Sequence, residues 1–332
     1  MSVLYIKEQG ASIQKRSERL MVSKNRRTLL EIPLDNVEAV SVIGNVQVTS
    51  PILHSLMEKG IDISYFSFSG KYLGNTVSDA SKNIFLRLAQ YELYKNMEKR
   101  MSFARKIVSN KIENQIQGIR LYRWKNGEKV HQEALGELEQ LLLAAKEAED
   151  SNMLMGVEGK ASSIYFREYG RMFKCKCEFH GRNRRPPRDP INVIISLGYT
   201  FLTKEVSAAL DAESFEMYLG FLHGIRYGRK SLPLDMVEEF RQPVVDRMVL
   251  KLFNKRMIQE FDFSEEDGKI ILEEAGFRKF CCEFERWMVD SDISGEKQGY
   301  RGLIQQQARN LKKAVQKKGD YEPYCLKEKT YT

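Results

Sequence analysis

The sequence predicts an α+β protein, with a small, mostly antiparallel β domain over residues 1–79 and a larger all-α domain over residues 80–332. Three observations predict it. Up to about residue 80, short runs rich in β-branched and aromatic residues alternate with Gly, Asn, Pro and Asp, which is the pattern of strands and turns. From Asn83 onward, apolar residues recur at helical spacing. A chain of 332 residues also exceeds the size at which one hydrophobic core stops growing, so two domains are expected.

Taken in order, strands are expected at Ser2–Ile6, Arg19–Val22, Leu29–Ile32, Glu38–Val42 and Ile61–Phe66. TSPILHSLMEK, residues 49–59, interrupts them with a helix that Ser50 caps, Pro51 opens and Gly60 ends. The hinge is placed near Val77–Asn83. Ile84 to Tyr122 carries apolar residues at Leu86, Leu88, Ala89, Leu93, Met97, Met101, Ala104, Ile107 and Val108 with no Gly or Pro before Gly118, and predicts one long helix or two. Further helices are expected at Lys129–Asp150, Gly159–Met172, Pro190–Leu210, Phe215–Tyr227, Leu234–Glu260, Glu265–Met288 and Tyr300–Gln316.

With 42% hydrophobic and 30% charged residues, the composition is that of an ordinary globular protein. Every apolar run reads as too short to span a bilayer, and MSVLYIKEQGAS lacks the layout of a secretory signal. A cytoplasmic location and no membrane partner are therefore expected. Cys175, Cys177, Cys281, Cys282 and Cys325 read as free thiols. The grouping Cys175, Cys177 and His180 invites a zinc reading, but its spacing is not C-x₂-C and no second ligand pair stands nearby. Lys and Arg outnumber Asp and Glu by 53 to 45, giving a net charge of +8. A polyanionic partner is consistent with that charge, and so is simple solubility. The loop GRNRRPPRDP, residues 181–190, concentrates Arg182, Arg184, Arg185 and Arg188 around two prolines. It is either a solvated connector or a phosphate-contacting loop.

Three segments of the second half suit a divalent cation: MGVEGKASSIYF (155–166), GFLHGIRYG (220–228) and LPLDMVEEFRQP (232–243). Glu158 lies between Gly156 and Gly159 at an expected helix start, where glycines let metal, phosphate or backbone approach. His223 sits in an apolar, glycine-containing stretch, and is either a hydrogen-bonded core residue or a ligand. Asp235 and Glu238 stand at i and i+3 on one helix face. Capping in the first turn is an equally good account of Asp235, whereas Glu238 lies one turn deeper.

Glu158, the LHG histidine and the D-x-x-E-E-F-R-x-P segment, in this order and together with DPINVIISLGYTFL (189–202), resemble the CRISPR adaptation integrases, the first and universal Cas family of spacer acquisition. The resemblance covers essentially the whole chain and is to members from type I systems. It implies a metal-dependent DNA endonuclease and integrase that joins the 3′-hydroxyl of a short captured DNA to a repeat of the host array by transesterification. Glu158, His223 and Glu238 are then the catalytic metal ligands for Mg²⁺ or Mn²⁺. Asp235 supports them, Arg241 faces DNA, and Asn192, Tyr165 and Tyr199 line the pocket. The third ligand is Glu where some members have Asp. Implied partners are double-stranded and branched DNA, a second copy of the chain bound through the β domain, and a small second adaptation protein that completes a heterohexamer. The ligand chemistry agrees, since two carboxylates and an imidazole form a mostly hard set suited to Mg²⁺ or Mn²⁺.

Expected DNA-backbone contacts are Lys24, Arg26 and Arg27, then Arg167 and Arg171, the arginine loop, Arg226, Arg229 and Lys230, and finally Lys312 and Lys313. Two rival readings remain: a repair-type nuclease that only hydrolyses branched DNA, and a non-catalytic DNA-binding scaffold.

Overall fold

Alternation of apolar and polar residues in the first part of the chain closes two small sheets over one core. The computed structural model describes residues 2–68, 70–76, 83–122, 131–175, 177, 179–183, 186–266 and 268–326. The chain divides into two compact units, Met1–Ala80 and Ser81–Thr332.

In the first unit, β1 (Ser2–Ile6), β5 (Val37–Ile43), β7 (Asp62–Phe66) and β8 (Tyr72–Thr76) form one sheet in that order. A second sheet runs β4 (Arg27–Pro33), β3 (Arg19–Lys24), β2 (Ser12–Arg16) and β6 (Gln47–Val48). Helix α1 (Ser50–Glu58) contacts β2 and β7, one strand of each sheet. Ile13, Leu20, Val22, Val40, Ile52, Leu56 and Ile63 belong to a single buried cluster between these elements. The fold class is as expected, but the sheets are less antiparallel than the sequence suggests. β1–β5, β5–β7 and β2–β6 pair in parallel, because chain crossovers, which local alternation does not encode, decide strand direction. β2, β6 and β8 were not anticipated. Between β3 and β4, Asn25 and Arg26 both adopt left-handed backbone, with φ of 50° and 65°, as a two-residue hairpin turn demands.

The second unit contains α2 (Ile84–Lys95), α3 (Met97–Arg120), α4 (Gln132–Glu147), α5 (Ser151–Arg171), α6 (Pro190–Ala212), α7 (Ser231–Val237) and α8 (Arg247–Asn254). They are followed by a hairpin of β9 (Phe263–Glu266) and β10 (Lys269–Leu272), and by α9 (Glu274–Val289), α10 (Ser291–Ser294) and α11 (Tyr300–Val315). The all-α expectation is thus corrected by one hairpin, which takes the place of the first turns of the helix expected from Glu265. The long stretch from Ile84 is two helices. Asn96 separates them and caps the second, its side chain accepting from Lys99 N at 2.9 Å.

α6 is long and apolar enough, by length and composition, to cross a membrane, which corrects the expectation that every apolar run is too short. The same apolarity serves a different purpose here: α6 packs against α7, α8 and α11, and 61% of its most apolar window is buried. Asp189 caps it, accepting from Asn192 N at 2.7 Å, and Pro190 occupies the first turn.

Two expected helices fail for identifiable reasons. Residues 215–227 are irregular: Gln90 holds Glu216 and Leu219, and a buried carboxylate described below holds residues 221–223. The span 234–260 is broken: α7 ends at Val237, residues 241–246 form a π-helical turn, and α8 follows. Pro243 has no N–H to offer the carbonyl of Glu239, and Asn114 Nδ2 supplies the missing donor at 3.0 Å.

Candidate metal and DNA site

Glu158 projects from the interior of α5, not from its start: α5 begins at Ser151, capped by Asp150, whose carboxylate accepts from Asn152 N and Met153 N. A Cβ at Gly156 or at Gly159 would meet nothing within 4 Å, so neither glycine is required there by crowding. Glu238 lies just past α7, with its side chain 4% exposed. A residue the sequence did not single out joins the two acids. Lys111, on α3 and 6% exposed, donates to Glu158 Oε1 and stands 2.8 Å from Glu238 Oε2. The other oxygen of Glu238 faces Arg241 Nη2 at 3.0 Å. Burial pushes the Glu238 carboxyl up, but the Arg241 guanidinium, the Lys111 ammonium and nearby His223 outweigh it and hold its pKa at about 2.

His223 is positioned by Asp235. One Asp235 oxygen accepts from the backbone N–H of Phe221 and, at 3.0 Å, of Leu222. The other takes the backbone N–H of His223 at 2.9 Å and its ring Nδ1 at 2.7 Å. A carboxylate only accepts, so Nδ1 carries a proton, and in the neutral ring Nε2 is then the atom with the lone pair. Asp235 therefore organises the loop rather than capping α7. Gly220 is required beside it, since a Cβ there would lie 2.7 Å from Asp235 Oδ2 and 2.9 Å from the Ser231 backbone.

Glu158 and Lys111 open into a cavity of about 810 Å³, whose wall includes Arg167, Arg182, Tyr199 and Arg241. The Tyr199 ring lies under two guanidiniums, with the carbons of Arg241 and Arg182 at 4.7 and 5.5 Å from its centroid. Its hydroxyl donates to Asp246 Oδ1 at 2.7 Å, and the Tyr165 hydroxyl donates to Asp246 Oδ2 at 2.9 Å. Burial raises the Asp246 carboxyl to about 6 despite these bonds. Tyr165 is thus a buried brace and not a cavity wall, and Asn192 is also withdrawn from the pocket. Fully buried, Asn192 accepts from Arg182 Nη1 at 2.7 Å and donates to the Gly181 carbonyl at 2.9 Å, holding the arginine loop in place.

Several expected DNA contacts are already engaged within the protein. Arg167 and Arg171 pair with buried Glu168 at 3.1 and 3.0 Å, Lys24 pairs with Glu8, and Lys312 reaches Glu213 at 2.8 Å. Arg229 donates to Ser231 Oγ at 3.3 Å and also to the Gly224 carbonyl. Arg26, Arg27, Arg188, Arg226 and Lys313 are exposed, and Lys230 is partly so. Arg184 and Arg185 lie outside the described residues, as does most of the expected hinge. At the zinc-like grouping, burial and the adjacent Cys175 push the Cys177 thiol up to about 12.

As the side chains stand, no three of Asp, Glu, His and Cys among the described residues are disposed to hold a metal, and an ammonium stands between the two acids. The donor set nevertheless fits a dication. Glu238 Oε2 is buried and has no hydrogen bond of good geometry, Lys111 is the cation placed against it among the described residues, and the acids already converge on that charge.

Beyond Lys111, sequence reasoning missed Asp246 and Glu239. Glu239 is buried and accepts from the Tyr321 hydroxyl and, at 2.9 Å, from Tyr324 N, fastening residues 321–324 next to Glu238. The usable signals were a lysine on the apolar face of α3 and acids within an otherwise apolar run. Burial lifts the Glu239 carboxyl from 4.5 to about 7, more than the Tyr321 and Tyr324 bonds lower it. The folded chain therefore holds this proton more tightly than the unfolded chain, and the resulting stabilisation is full below about pH 4.5 and lost by about pH 7. Urea unfolding at pH 5 and pH 8 should show wild type losing roughly 2–3 kcal/mol relative to Glu239→Gln on going to the higher pH. An unchanged difference would refute this assignment.

The family model for CRISPR associated protein Cas1 matches residues 4–286. The chain is 34% identical to the CRISPR-associated endonuclease Cas1 3 of Thermus thermophilus over 98% of each chain. Among solved structures, a CAS1 protein from Thermotoga maritima superposes with a TM-score of 0.85 at 27% identity, covering 96% of this chain and 99% of the other. A Cas6-RT-Cas1–Cas2 complex gives a TM-score of 0.83 at 27% identity, with 99% of this chain covering 36% of that one. With a family model spanning most of its length and a relative of this identity aligned from end to end, the chain belongs to the Cas1 family of CRISPR-associated proteins.

Proposed function

We propose that the protein is a metal-dependent DNA endonuclease and integrase that inserts captured DNA into a CRISPR array, with Glu158, His223 and Glu238 as ligands for Mg²⁺ or Mn²⁺. The observation that carries this reading is the convergence of Glu158 and Glu238, from α5 and the end of α7, on one cationic centre at the floor of an open, arginine-walled cavity. The printed name of the Thermus relative, an endonuclease, supports the reaction class.

A bound dication would neutralise a non-bridging phosphate oxygen and lower the cost of charge on the entering and leaving oxygens. The chain's own residues do the rest. Asp235 holds His223 in the tautomer that leaves Nε2 free as a donor atom. Arg182, Arg241 and Lys111 place positive charge around the cavity, where a phosphodiester is drawn in and its developing charge is stabilised. In joining, the 3′-oxygen of the captured strand forms a bond to phosphorus as the repeat's own 3′-oxygen leaves and takes up a proton. The number of phosphodiesters is unchanged, and no covalent nucleophile from the protein is required.

The second copy of the chain, the small second adaptation protein and the heterohexamer belong to the same proposal, as does action on DNA in the cytoplasm. Leu29 and Leu30 on edge strand β4 are 47% and 38% exposed, an apolar sheet edge of the kind that proteins cover. The similar Cas6-RT-Cas1–Cas2 complex includes Cas2.

The test is to incubate purified protein with branched DNA and a short duplex bearing free 3′-hydroxyls, with Mn²⁺, Mg²⁺ or EDTA. Joined strands that require the ion are the expected result. Shortened strands without joined ones would identify a hydrolytic nuclease, and binding without either product would identify a scaffold.

A further inference from the structure

The geometry points to Lys111 as an internal stand-in for the metal: a positioning residue whose ammonium holds the two acids together in the ion-free protein and competes with the ion for them. This inference rests on Glu158 and Glu238 being metal ligands. Its basis is that Lys111 is not one more surface cation. The side chain is 6% exposed, lies on the face of α3 that also buries Ile107, Val108 and Ile112, and contacts both carboxylates at once. Without it, the buried Glu238 oxygen that has no hydrogen bond would face Glu158 with no charge between them.

Charge counting explains what such a residue does. Glu158 and Glu238 contribute two negative charges, and Lys111 with Arg241 two positive ones, so the cluster is neutral before any ion arrives. A buried carboxylate and a part-buried one converging on a shared centre would otherwise repel. A dication that binds both acids must displace the ammonium from the oxygens it now holds, and that displacement weakens the ion's apparent affinity. The lysine stem is flexible, and Gly159 in the cavity wall beside Glu158 presents no side chain. Once displaced, the ammonium remains at the cavity wall, where the cluster has gained two positive charges and favours a phosphodiester. Metal and DNA binding are thereby coupled: each makes the other more favourable.

The test measures Mn²⁺ binding by calorimetry in the absence of DNA, on wild type, Lys111→Met, Lys111→Arg and Glu158→Gln, with thermal melts of each. Loss of a competing charge should tighten Mn²⁺ binding in Lys111→Met by about tenfold or more. The ion-free variant should melt lower than wild type, with Mn²⁺ restoring a larger share of its stability. Lys111→Arg, which keeps the charge, should bind Mn²⁺ like wild type. If Lys111→Met does not fold, Lys111→Gln carries the same expectation of tighter binding. A role in packing alone predicts the opposite sign, because a loosened site binds the ion more weakly. Binding that is lost in Glu158→Gln but no tighter in the neutral Lys111 variants overturns this inference alone. No binding by any of the proteins, or binding indifferent to Glu158→Gln, overturns the metal-site reading and this inference with it.

Discussion

Replacing Glu158 by Gln should reduce ion-dependent strand joining by about a thousandfold or more, equivalent to roughly 4 kcal/mol of transition-state stabilisation. The side chain is 19% exposed at the cavity floor and lies in the interior of a helix, so an isosteric amide leaves α5 and its packing intact. What it removes is one of the two charges that converge on the cation. Lys111 would then answer to Glu238 alone, and an ion would meet a single carboxylate and one imidazole. Single-turnover assays on branched DNA, with a thermal melt as control, separate this from unfolding. Activity within tenfold of wild type in a protein that melts normally would remove Glu158 from the reaction.

The second large effect is expected at Asp235, and it differs in kind because stability and activity fall together. Asp235 is 1% exposed and receives the N–H groups of Phe221, Leu222 and His223 as well as the His223 ring. Removing the carboxylate in Asp235→Ala leaves the buried N–H groups of Phe221 and Leu222 with no acceptor, each costing about 1–3 kcal/mol, for a total of roughly 2–6 kcal/mol. For a unit of this size that lowers the melting temperature by about 10 °C. Asp235→Asn keeps an acceptor oxygen and most of the packing, so it should recover part of the stability. It no longer fixes the His223 tautomer, and its activity should stay as low as that of His223→Ala. Full activity in Asp235→Asn would show that His223 acts without this orientation, or does not act.

Much of the architecture was legible locally. The change of period near Asn83 separated a β part from a helical part, and Asn96, Asp150 and Asp189 cap helices as their residue types favour. Glu158, His223 and Glu238 were singled out as acids and a histidine within apolar, glycine-containing runs, but it was the family resemblance, not the residues alone, that grouped them as ligands. The failures have a common origin. Residues 215–227 have the composition of a helix, but long-range bonds from Gln90 to Glu216 and Leu219 and from Asp235 to residues 221–223 hold them in another path. Strand direction in the first unit was lost because parallel ladders arise from crossovers, not from alternation.

By itself the sequence determined the division into a β part and a helical part, several of the helices, and the acids and imidazole offered as candidate ligands for a cation. Only the tertiary structure decided that Lys111 stands between two of them, that Asp235 aims the third, and that Asp246 gathers Tyr165 and Tyr199 beneath the arginines. The physical reason is the range of the forces involved. Periodicity and capping act over a few residues and are written in neighbouring letters. A buried charge is stable only beside its partners, and those partners come from helices brought together by packing the whole unit.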